Sequence, residues 1–220
     1  MASLKISNLT KSFGNHRILK NLDFNCNTGD VIGLFGRNGS GKSSLLKIIF
    51  GTLKADSITI ILNDKTCLQK QIIPSKQIAY LPQDSFLPKS LKVRDLIPMF
   101  HHEEKYQDAI FYAPQVANFD NLKIGELSAG QLRYLEILLI GNLNHTFLLL
   151  DEPFSMIEPL YKEIIKKLIL QLKKNKGILI TDHYYHDVLE ITTKNFILKN
   201  GVITAVNNRE DLVKSGYLSS

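Results

Sequence analysis

One loop constrains this chain more than any other stretch of its sequence. The segment Gly36-Arg37-Asn38-Gly39-Ser40-Gly41-Lys42-Ser43-Ser44 lies between the apolar run Val31 to Phe35 and a second apolar run, Leu45 to Phe50, that is typical of a helix. Its glycines allow the backbone to curl, so that successive N–H groups and the positive end of the helix dipole face phosphate oxygens. A strand, this loop and a helix in that order predict a phosphate-binding loop.

Two side chains at the end of the loop indicate the kind of ligand. Lys42 supplies a point charge for the outer phosphates of a nucleotide, and the hydroxyl of Ser43 is a hard oxygen ligand suited to Mg²⁺. The alternative is a glycine turn with an incidental lysine. The predicted strand and helix on either side argue against that alternative.

Length and composition limit the class of protein. The chain has 220 residues, of which 44% are apolar, so it is long enough for one large α/β domain or for a core domain with a smaller insert. No stretch approaches the roughly 20 uninterrupted apolar residues of a membrane span, and we find no secretory signal. Cys26 and Cys67 lack a ligand-like spacing, so we expect a cytosolic protein without a disulfide or a zinc site.

The net charge of +6 would permit contact with nucleic acid or with anionic lipid. Much of the excess, however, lies on one segment whose apolar residues recur at helical spacing, and we expect Gly177 to end that helix. A helix with one buried and one solvated face explains these lysines, so we expect no nucleic-acid partner. The lysines of this segment are Lys162, Lys166, Lys167, Lys173, Lys174 and Lys176.

Two acidic residues follow a short buried strand. Phe147 to Leu150 is wholly apolar and is followed directly by Asp151 and Glu152. Carboxylates at this place are poor core residues, but they are suited to catalysis if Asp151 orients hydrated Mg²⁺ and Glu152 takes a proton from an attacking water. Structural ion pairs are the alternative.

Two more strand ends carry polar side chains. Gln83 follows the predicted strand Ile78 to Leu81, where an amide oxygen could reach a metal or its water. His183 follows the strand Ile178 to Thr181 and is expected at the same sheet edge as Glu152, within reach of a terminal phosphate or an attacking water. A glutamine at a strand end has, taken alone, usually no function.

Two further segments are candidates for contacts with a nucleotide. Phe13 precedes a Gly-Asn turn, where an aromatic ring is suited to stacking on adenine, although a core position is the alternative. Ser128-Ala129-Gly130-Gln131 leads into a long apolar segment, and Ser128 is well placed as a helix N-cap. A helix start with small residues suits a terminal phosphate, and an ordinary cap is the alternative.

The stretch from Phe86 to Ile124 differs in character from the rest of the chain. It contains several prolines and a polar cluster, and we interpret it as a small, mostly helical insert. His101 and His102 are adjacent, and neighbouring residues on a helix point to different faces. We therefore expect surface histidines rather than a metal site.

In this order, the motifs resemble the nucleotide-binding subunits of ATP-binding-cassette (ABC) transporters, over a region from about Leu4 to Ile203. The resemblance implies an α/β P-loop NTPase fold of ABC type, with a RecA-like core and an antiparallel β subdomain. Residues 1–220 would form a single ABC ATPase domain. Its core would comprise about 1–85 and 126–220, and a small helical subdomain about 86–125.

The resemblance also implies functions for the residues that contact ATP. Phe13 looks like the aromatic residue that stacks on adenine, and Gly36 to Ser44 looks like the Walker A loop. Gln83 looks like the Q-loop residue, which contacts Mg²⁺ and senses the membrane partner. Ser128 to Gln131 resembles the signature motif, which binds the γ-phosphate of the ATP held by the other subunit of a dimer.

The remaining motif residues resemble those that carry out ATP hydrolysis in the family. Asp151 resembles the Walker B aspartate, Glu152 the general base and His183 the switch histidine. Two residues depart from the family pattern: Ala129 stands where glycine is usual, and Glu158 stands where the D-loop has aspartate. Both departures leave open a regulatory cassette that binds ATP with little turnover.

The implied function is ATP hydrolysis, with Mg²⁺, that powers transport through ATP-driven dimerisation. The partners would be a second copy or another ABC subunit, together with transmembrane permease subunits. The implied location is cytoplasmic, at the inner face of the inner membrane. Three shorter motifs are similar to those of the lipopolysaccharide-export ATPases and of branched-chain amino-acid importer ATPases. They are Leu135 to Ile137, Asp151 to Ser155 and Ile180 to His183. A soluble ABC ATPase acting on ribosomes or DNA remains the alternative.

Overall fold

Two β-sheets organise residues 1–218, which are the residues that the computed structural model describes. In chain order the strands are β1 (Ser3–Phe13), β2 (His16–Asn27), β3 (Val31–Phe35), β4 (Ser57–Leu62), β5 (Lys65–Cys67), β6 (Ile78–Leu81), β7 (Phe147–Asp151), β8 (Gly177–Thr181), β9 (Lys194–Lys199) and β10 (Val202–Val206). The helices are α1 (Lys42–Phe50), α2 (Ile72–Ser75), α3 (Val93–Phe100), α4 (Glu104–Phe111), α5 (Ala129–Gly141), α6 (Pro159–Leu172), α7 (Tyr185–Leu189) and α8 (Arg209–Lys214), with 3₁₀ turns at Gln69–Gln71, Val116–Asn118 and Ile124–Glu126.

The larger sheet has the strand order β10-β9-β3-β8-β7-β6, and all its pairs except β10–β9 are parallel. Strands β3, β7 and β8 are buried along their whole length. Their nearly continuous apolar sequences are typical of parallel strands covered on both faces. Because parallel strands end at the same edge, the residues that follow β3, β6, β7 and β8 are brought together there.

The smaller sheet is antiparallel, with the order β2-β1-β4-β5. The β-rich runs of the sequence at Ser57 to Leu62 and Ile78 to Leu81 predict two strands, and β4 and β6 have these bounds. The runs Leu4 to Leu9 and Ile18 to Phe24 predict two more, but β1 and β2 extend beyond them. Residue Phe13 ends β1 and pairs with His16 across the turn. The pair Asn200-Gly201 in the sequence predicts a hairpin turn, and this turn is observed between β9 and β10, where both residues have positive φ.

Helix α6, the lysine-rich helix, ends earlier than predicted, and not all of the lysines of this segment are solvated. Helix α6 ends at Leu172, and Gly177 begins β8, where its N–H donates to the oxygen of Thr146. Lys166 is buried, with its Nζ 2.8 Å from Asp187 Oδ1 and 2.6 Å from Glu190 Oε2. The expected solvated lysine face is therefore wrong for Lys166, whose charge is neutralised within the fold. It is also wrong for Lys176, which is buried with its Nζ 2.8 Å from the oxygen of Leu143.

Helices α3 and α4 follow β6 in the sequence and precede α5. His102 is exposed as expected, but His101 is 4% exposed, and its Nε2 lies 2.9 Å from the oxygen of Leu139 on α5. Burial lowers the pKa of His101 below its usual value, so the ring is held as a neutral hydrogen-bonding core residue. The expectation of a surface residue was wrong for His101, because a backbone acceptor is available in the core.

Within residues 1–218, no helix combines the length and the apolar composition needed to cross a bilayer.

Candidate active site

A cavity of about 690 Å³ lies at the edge where the parallel strands end. Its walls bring together the loop after β3, from Asn38 to Ser44, with Phe13, Gln83, Glu152 and His183. These residues come from distant parts of the chain, and the sequence predicted all of them as site residues. The cavity volume is within the range of small-molecule sites in proteins.

The loop holds Lys42 folded back on its own backbone. Lys42 is 6% exposed, and its Nζ donates to the oxygens of Gly36, at 2.7 Å, and Arg37, at 3.4 Å. Burial lowers the pKa of Lys42, and the carboxylates of Glu152, Asp151 and Asp182 partly oppose that shift. A buried ammonium near carbonyl oxygens is a site at which an anion is favourable, since phosphate would supply compensating charge.

Asp151 is almost fully buried and is held by hydroxyl groups. Its Oδ1 accepts hydrogen bonds from Ser43 Oγ, at 3.1 Å, and Thr181 Oγ1, at 2.6 Å. Its Oδ2 accepts from the Tyr80 hydroxyl at 3.0 Å. Burial, followed by the charge of Asp151, raises the pKa of Tyr80, so the phenol stays protonated and remains a donor.

Three side chains from different parts of the sequence surround the carboxylate of Glu152. Its Oε1 lies 2.7 Å from His183 Nε2, within hydrogen-bond distance. Its Oε2 accepts from Gln83 Nε2 at 3.0 Å and from Ser155 Oγ at 3.1 Å. Glu152 also has φ of 53°, which is uncommon for a residue other than glycine and is found disproportionately at functional sites.

Phe13 lies at the rim of the cavity. Its side chain is 51% exposed, and Lys11 Nζ lies 5.2 Å from the ring centroid. The alternative of a core position is therefore wrong, because half of the residue is open to solvent. An exposed ring face beside a phosphate loop is suited to stacking with a nucleobase.

Ser128 is the N-cap of α5, as predicted. Its Oγ accepts from Gln131 N at 3.2 Å, and its N–H donates to Gln131 Oε1 at 2.8 Å, so the two residues form a capping box. Gly130 has little room for a side chain, because a Cβ there would lie 2.8 Å from the Tyr161 ring and 2.9 Å from Tyr161 Cβ. Among the described residues, Ser128 to Gln131 do not line the cavity that contains the phosphate loop.

Arg133, one turn further along α5, holds the backbone around Gln83. Its guanidinium donates to the oxygen of Pro82 at 2.8 Å and to the oxygen of Gln83, and it pairs with Glu136 at 3.2 Å. Burial raises the pKa of Glu136, and the charge of Arg133 opposes this shift. The Arg133–Glu136 pair therefore connects α5 to the segment that carries Gln83.

The donor set suits Mg²⁺ rather than a metal bound by protein alone. Ser43 Oγ, Asp151 and the amide of Gln83 are oxygen-bearing groups near the phosphate loop, and Mg²⁺ prefers hard oxygen ligands. In residues 1–218 no cluster of three or more His, Cys, Asp or Glu side chains forms a metal site. Mg²⁺ commonly uses one or two protein ligands and completes its shell with phosphates and waters, so the oxygen-bearing groups of this site fit it.

Tyr80, Thr181 and Asp182 were not predicted as site residues from the sequence. Tyr80 and Thr181 bind Asp151, and the buried Asp182 accepts from the N–H groups of Phe154 and Tyr184, at 2.7 and 2.9 Å. Asp182 thus joins the loops that carry Glu152 and His183. The available signal was a polar residue at the carboxyl end of an apolar strand, which Tyr80, Thr181 and Asp182 all share.

Comparisons with known proteins agree with this geometry. The family model described as ABC transporter matches residues 19–155, more than half of the chain. The lipopolysaccharide export system ATP-binding protein LptB of Haemophilus influenzae is 29% identical over 228 residues, covering 97% of this chain and 93% of that protein. LptB of Escherichia coli K12 is 28% identical over 230 residues, covering 99% of this chain and 95% of that protein. A solved nucleotide-free ATP-binding cassette from an ABC transporter has a TM-score of 0.85 at 26% identity, covering 100% of this chain and 96% of that one.

The predicted family, fold class and activity are confirmed by these comparisons. The similarity to lipopolysaccharide-export ATPases is confirmed as well, whereas the similarity to branched-chain amino-acid importer ATPases stays a prediction. The residues of the cavity and the relatives together assign ATP binding and hydrolysis in the service of a membrane transporter. The chain belongs to the ABC transporter family, as an ATP-binding cassette with a P-loop NTPase fold.

Proposed function

We propose that this ATPase works as a dimer, with Mg²⁺ and with one ATP bound between each Walker A loop and the signature segment of the other subunit. The observation that carries this proposal is the division of the site. One chain supplies a phosphate loop, the carboxylate of Glu152 and a histidine around one cavity, while Ser128 to Gln131 do not line it. A second subunit would complete each site.

The residues of one chain would divide the work of hydrolysis. Lys42 would neutralise the outer phosphates, and Ser43 and Asp151 would hold Mg²⁺, which supplies charge stabilisation at the phosphoryl group. Glu152 would accept the proton of the attacking water. Because His183, Gln83 and Ser155 donate to the carboxylate of Glu152, they would fix its orientation toward that water.

Phe13 and the signature segment would add the contacts that hold ATP between two subunits. The ring of Phe13 would stack on adenine, while the N–H groups at the start of α5 would face the γ-phosphate. Ala129 adds a methyl group there but keeps the backbone donors, so we expect turnover to survive. Measurable ATP hydrolysis by the purified protein would exclude a cassette that only binds ATP.

The helical segment of about residues 86–125 would form a subdomain that contacts the permease. Four large apolar or aromatic side chains in this segment are exposed and would be available for this contact. They are Phe86, Met99, Tyr112 and Leu122, with exposures of 44%, 64%, 85% and 38%. The protein would then lie at the cytoplasmic face of the membrane, bound through permease subunits.

The test is extraction of the tagged protein from its native membrane in mild detergent, followed by mass spectrometry of what co-purifies. We expect a stoichiometric polytopic membrane protein, and we expect Met99→Asp combined with Tyr112→Asp to lose it. Leu170→Asp, which changes an exposed apolar residue of α6 outside the segment, serves as the control. Retention of the membrane protein by the double variant would place the contact elsewhere, and absence of any membrane partner would contradict the proposal.

A soluble ATPase acting on ribosomes or DNA predicts a different outcome of the same experiment. Ribosomal proteins or nucleic acid would then co-purify, and nucleic acid would stimulate ATP hydrolysis. Lys166 is buried and paired with Asp187 and Glu190, so it is not part of a basic surface that could bind nucleic acid. The transporter ATPase is therefore the function that we propose.

A further inference from the structure

Strand β6 and the segment that follows it provide a side chain to each of the two adjacent acids. Gln83, two residues after the end of β6, donates to Glu152, and Tyr80, within β6, donates to Asp151. Strand β6 pairs with β7 in parallel register, with Tyr80 opposite Leu149 and Leu81 opposite Leu150. This register sets the Tyr80 hydroxyl beside the end of β7, where the acids lie.

The hydrogen bond from Tyr80 differs from the two other hydrogen bonds that the Asp151 carboxylate accepts. Ser43 and Thr181 both donate to Oδ1, whereas Oδ2 accepts a hydrogen bond from Tyr80 alone among the described residues. Asp151 is 1% exposed, so solvent has little access to replace a missing donor. The phenol therefore determines how the second oxygen of the carboxylate is oriented.

The position of the phenol is itself fixed by packing. The ring of Tyr80 lies against the ring of Phe50, with centroids 5.5 Å apart and planes inclined by 40°. Phe50 ends α1, the helix that begins with Lys42 and Ser43. Tyr80 thus bridges the helix of the phosphate loop and the strand that carries Asp151.

We propose that Tyr80 is a positioning residue that holds Asp151 in the orientation in which it binds Mg²⁺ with ATP. This inference rests on the proposed function of Asp151 and Ser43 as the groups that hold the metal. Loss of the phenol hydroxyl would leave Oδ2 buried without a donor, so the carboxylate would turn or lose affinity for the metal. Hydrogen-bond partners of metal ligands typically change metal affinity by about 10–100-fold when they are removed.

The first readout is metal binding without turnover. Mn²⁺ replaces Mg²⁺, and its binding in the presence of ATP is followed by electron paramagnetic resonance in a Glu152→Gln background. We expect Tyr80→Phe to weaken Mn²⁺ binding about tenfold, at the lower end of that range. ATP binding measured in the presence of a chelator should stay unchanged, because Tyr80 does not line the cavity of the phosphate loop in the described chain.

The control is Tyr106→Phe, which removes the hydroxyl of another half-buried tyrosine, on α4 and away from the acids. Unchanged Mn²⁺ affinity in Tyr80→Phe would overturn the inference, as would an equal loss in Tyr106→Phe. Asp151→Asn separates the inference from the function on which it rests. If Asp151→Asn weakens Mn²⁺ binding while Tyr80→Phe does not, only the inference fails, and if neither does, the proposed metal site fails with it.

Discussion

Replacement of Arg133 by methionine removes the positive member of a buried ion pair. The side chains of Arg133 and Glu136 are 10% and 1% exposed, and their charged groups are 3.2 Å apart. Arg133→Met would keep much of the side-chain volume but lose the charge and the hydrogen bonds to the carbonyl groups of Pro82 and Gln83. Glu136 would then be buried without a counter-charge.

The expected loss follows from that burial. Removal of one partner of a buried ion pair typically costs about 3–5 kcal/mol, and we expect about 4 kcal/mol here. For a chain of this length, that loss corresponds to a decrease in Tm of about 10 °C. The free energy of unfolding would be measured by urea denaturation, with the wild type under the same conditions.

A second variant tests the reason for the loss. Arg133→Met combined with Glu136→Leu removes both charges, and apolar replacement of a buried pair is often close to neutral. The double variant should therefore be more stable than Arg133→Met. If it is not, the unpaired charge of Glu136 is not the cause of the loss.

The pH dependence provides an independent check. Burial raises the pKa of Glu136, and loss of Arg133 should raise it further. The folded variant then binds a proton more readily than the unfolded chain, so the loss of stability is complete at high pH and shrinks as the pH falls toward about 4.5. A loss below about 1 kcal/mol at pH ~8, or a loss that does not shrink at pH ~5.5, would refute the reasoning.

Three further predictions concern the phosphate loop, the cavity rim and the helical segment. Lys42→Ala should lose nucleotide affinity in an equilibrium binding assay, while the exposed Lys47→Ala on the same helix should not; equal affinities in both variants would refute the loop assignment. Phe13→Ala should weaken ATP binding by about 1 kcal/mol, roughly fivefold in Kd, and an unchanged Kd would exclude stacking. Because burial lowers the pKa of His101, its contribution to stability is complete above about pH 6.5 and is lost as the pH falls below it. His101→Gln should reduce this pH dependence in urea denaturation, the exposed His102→Gln should not, and equal profiles in all three proteins would contradict the assignment.

The parts of the site that could be predicted from the sequence are those whose chemistry is local. The phosphate loop, the acids after β7 and the N-cap at Ser128 each depend on a few consecutive residues, whose glycines, charges or hydroxyl groups indicate their function. Strands β4 and β6 were predicted with the observed bounds, because apolar runs bounded by turn residues define them. The Asn-Gly turn before β10 is another local feature of this kind.

The parts that could not be predicted depend on which elements lie side by side. Tyr80 reaches Asp151 only because β6 pairs with β7, and a strand pattern does not indicate its neighbour. The burial of His101 depends on an acceptor at Leu139, 38 residues away in the chain. Gly177 was expected to end a helix, but it lies in β8, whose pairing with β7 has no local signal.

The measurement that tests the account most directly is the oligomeric state of Glu152→Gln with and without ATP. This variant should bind ATP through the intact phosphate loop but should not hydrolyse it, because the amide of glutamine cannot accept the proton of the attacking water. Light scattering after size-exclusion chromatography should then show a dimer with ATP and a monomer without nucleotide. A monomer in both conditions, with ATP bound, would contradict the proposal that two subunits close around the nucleotide.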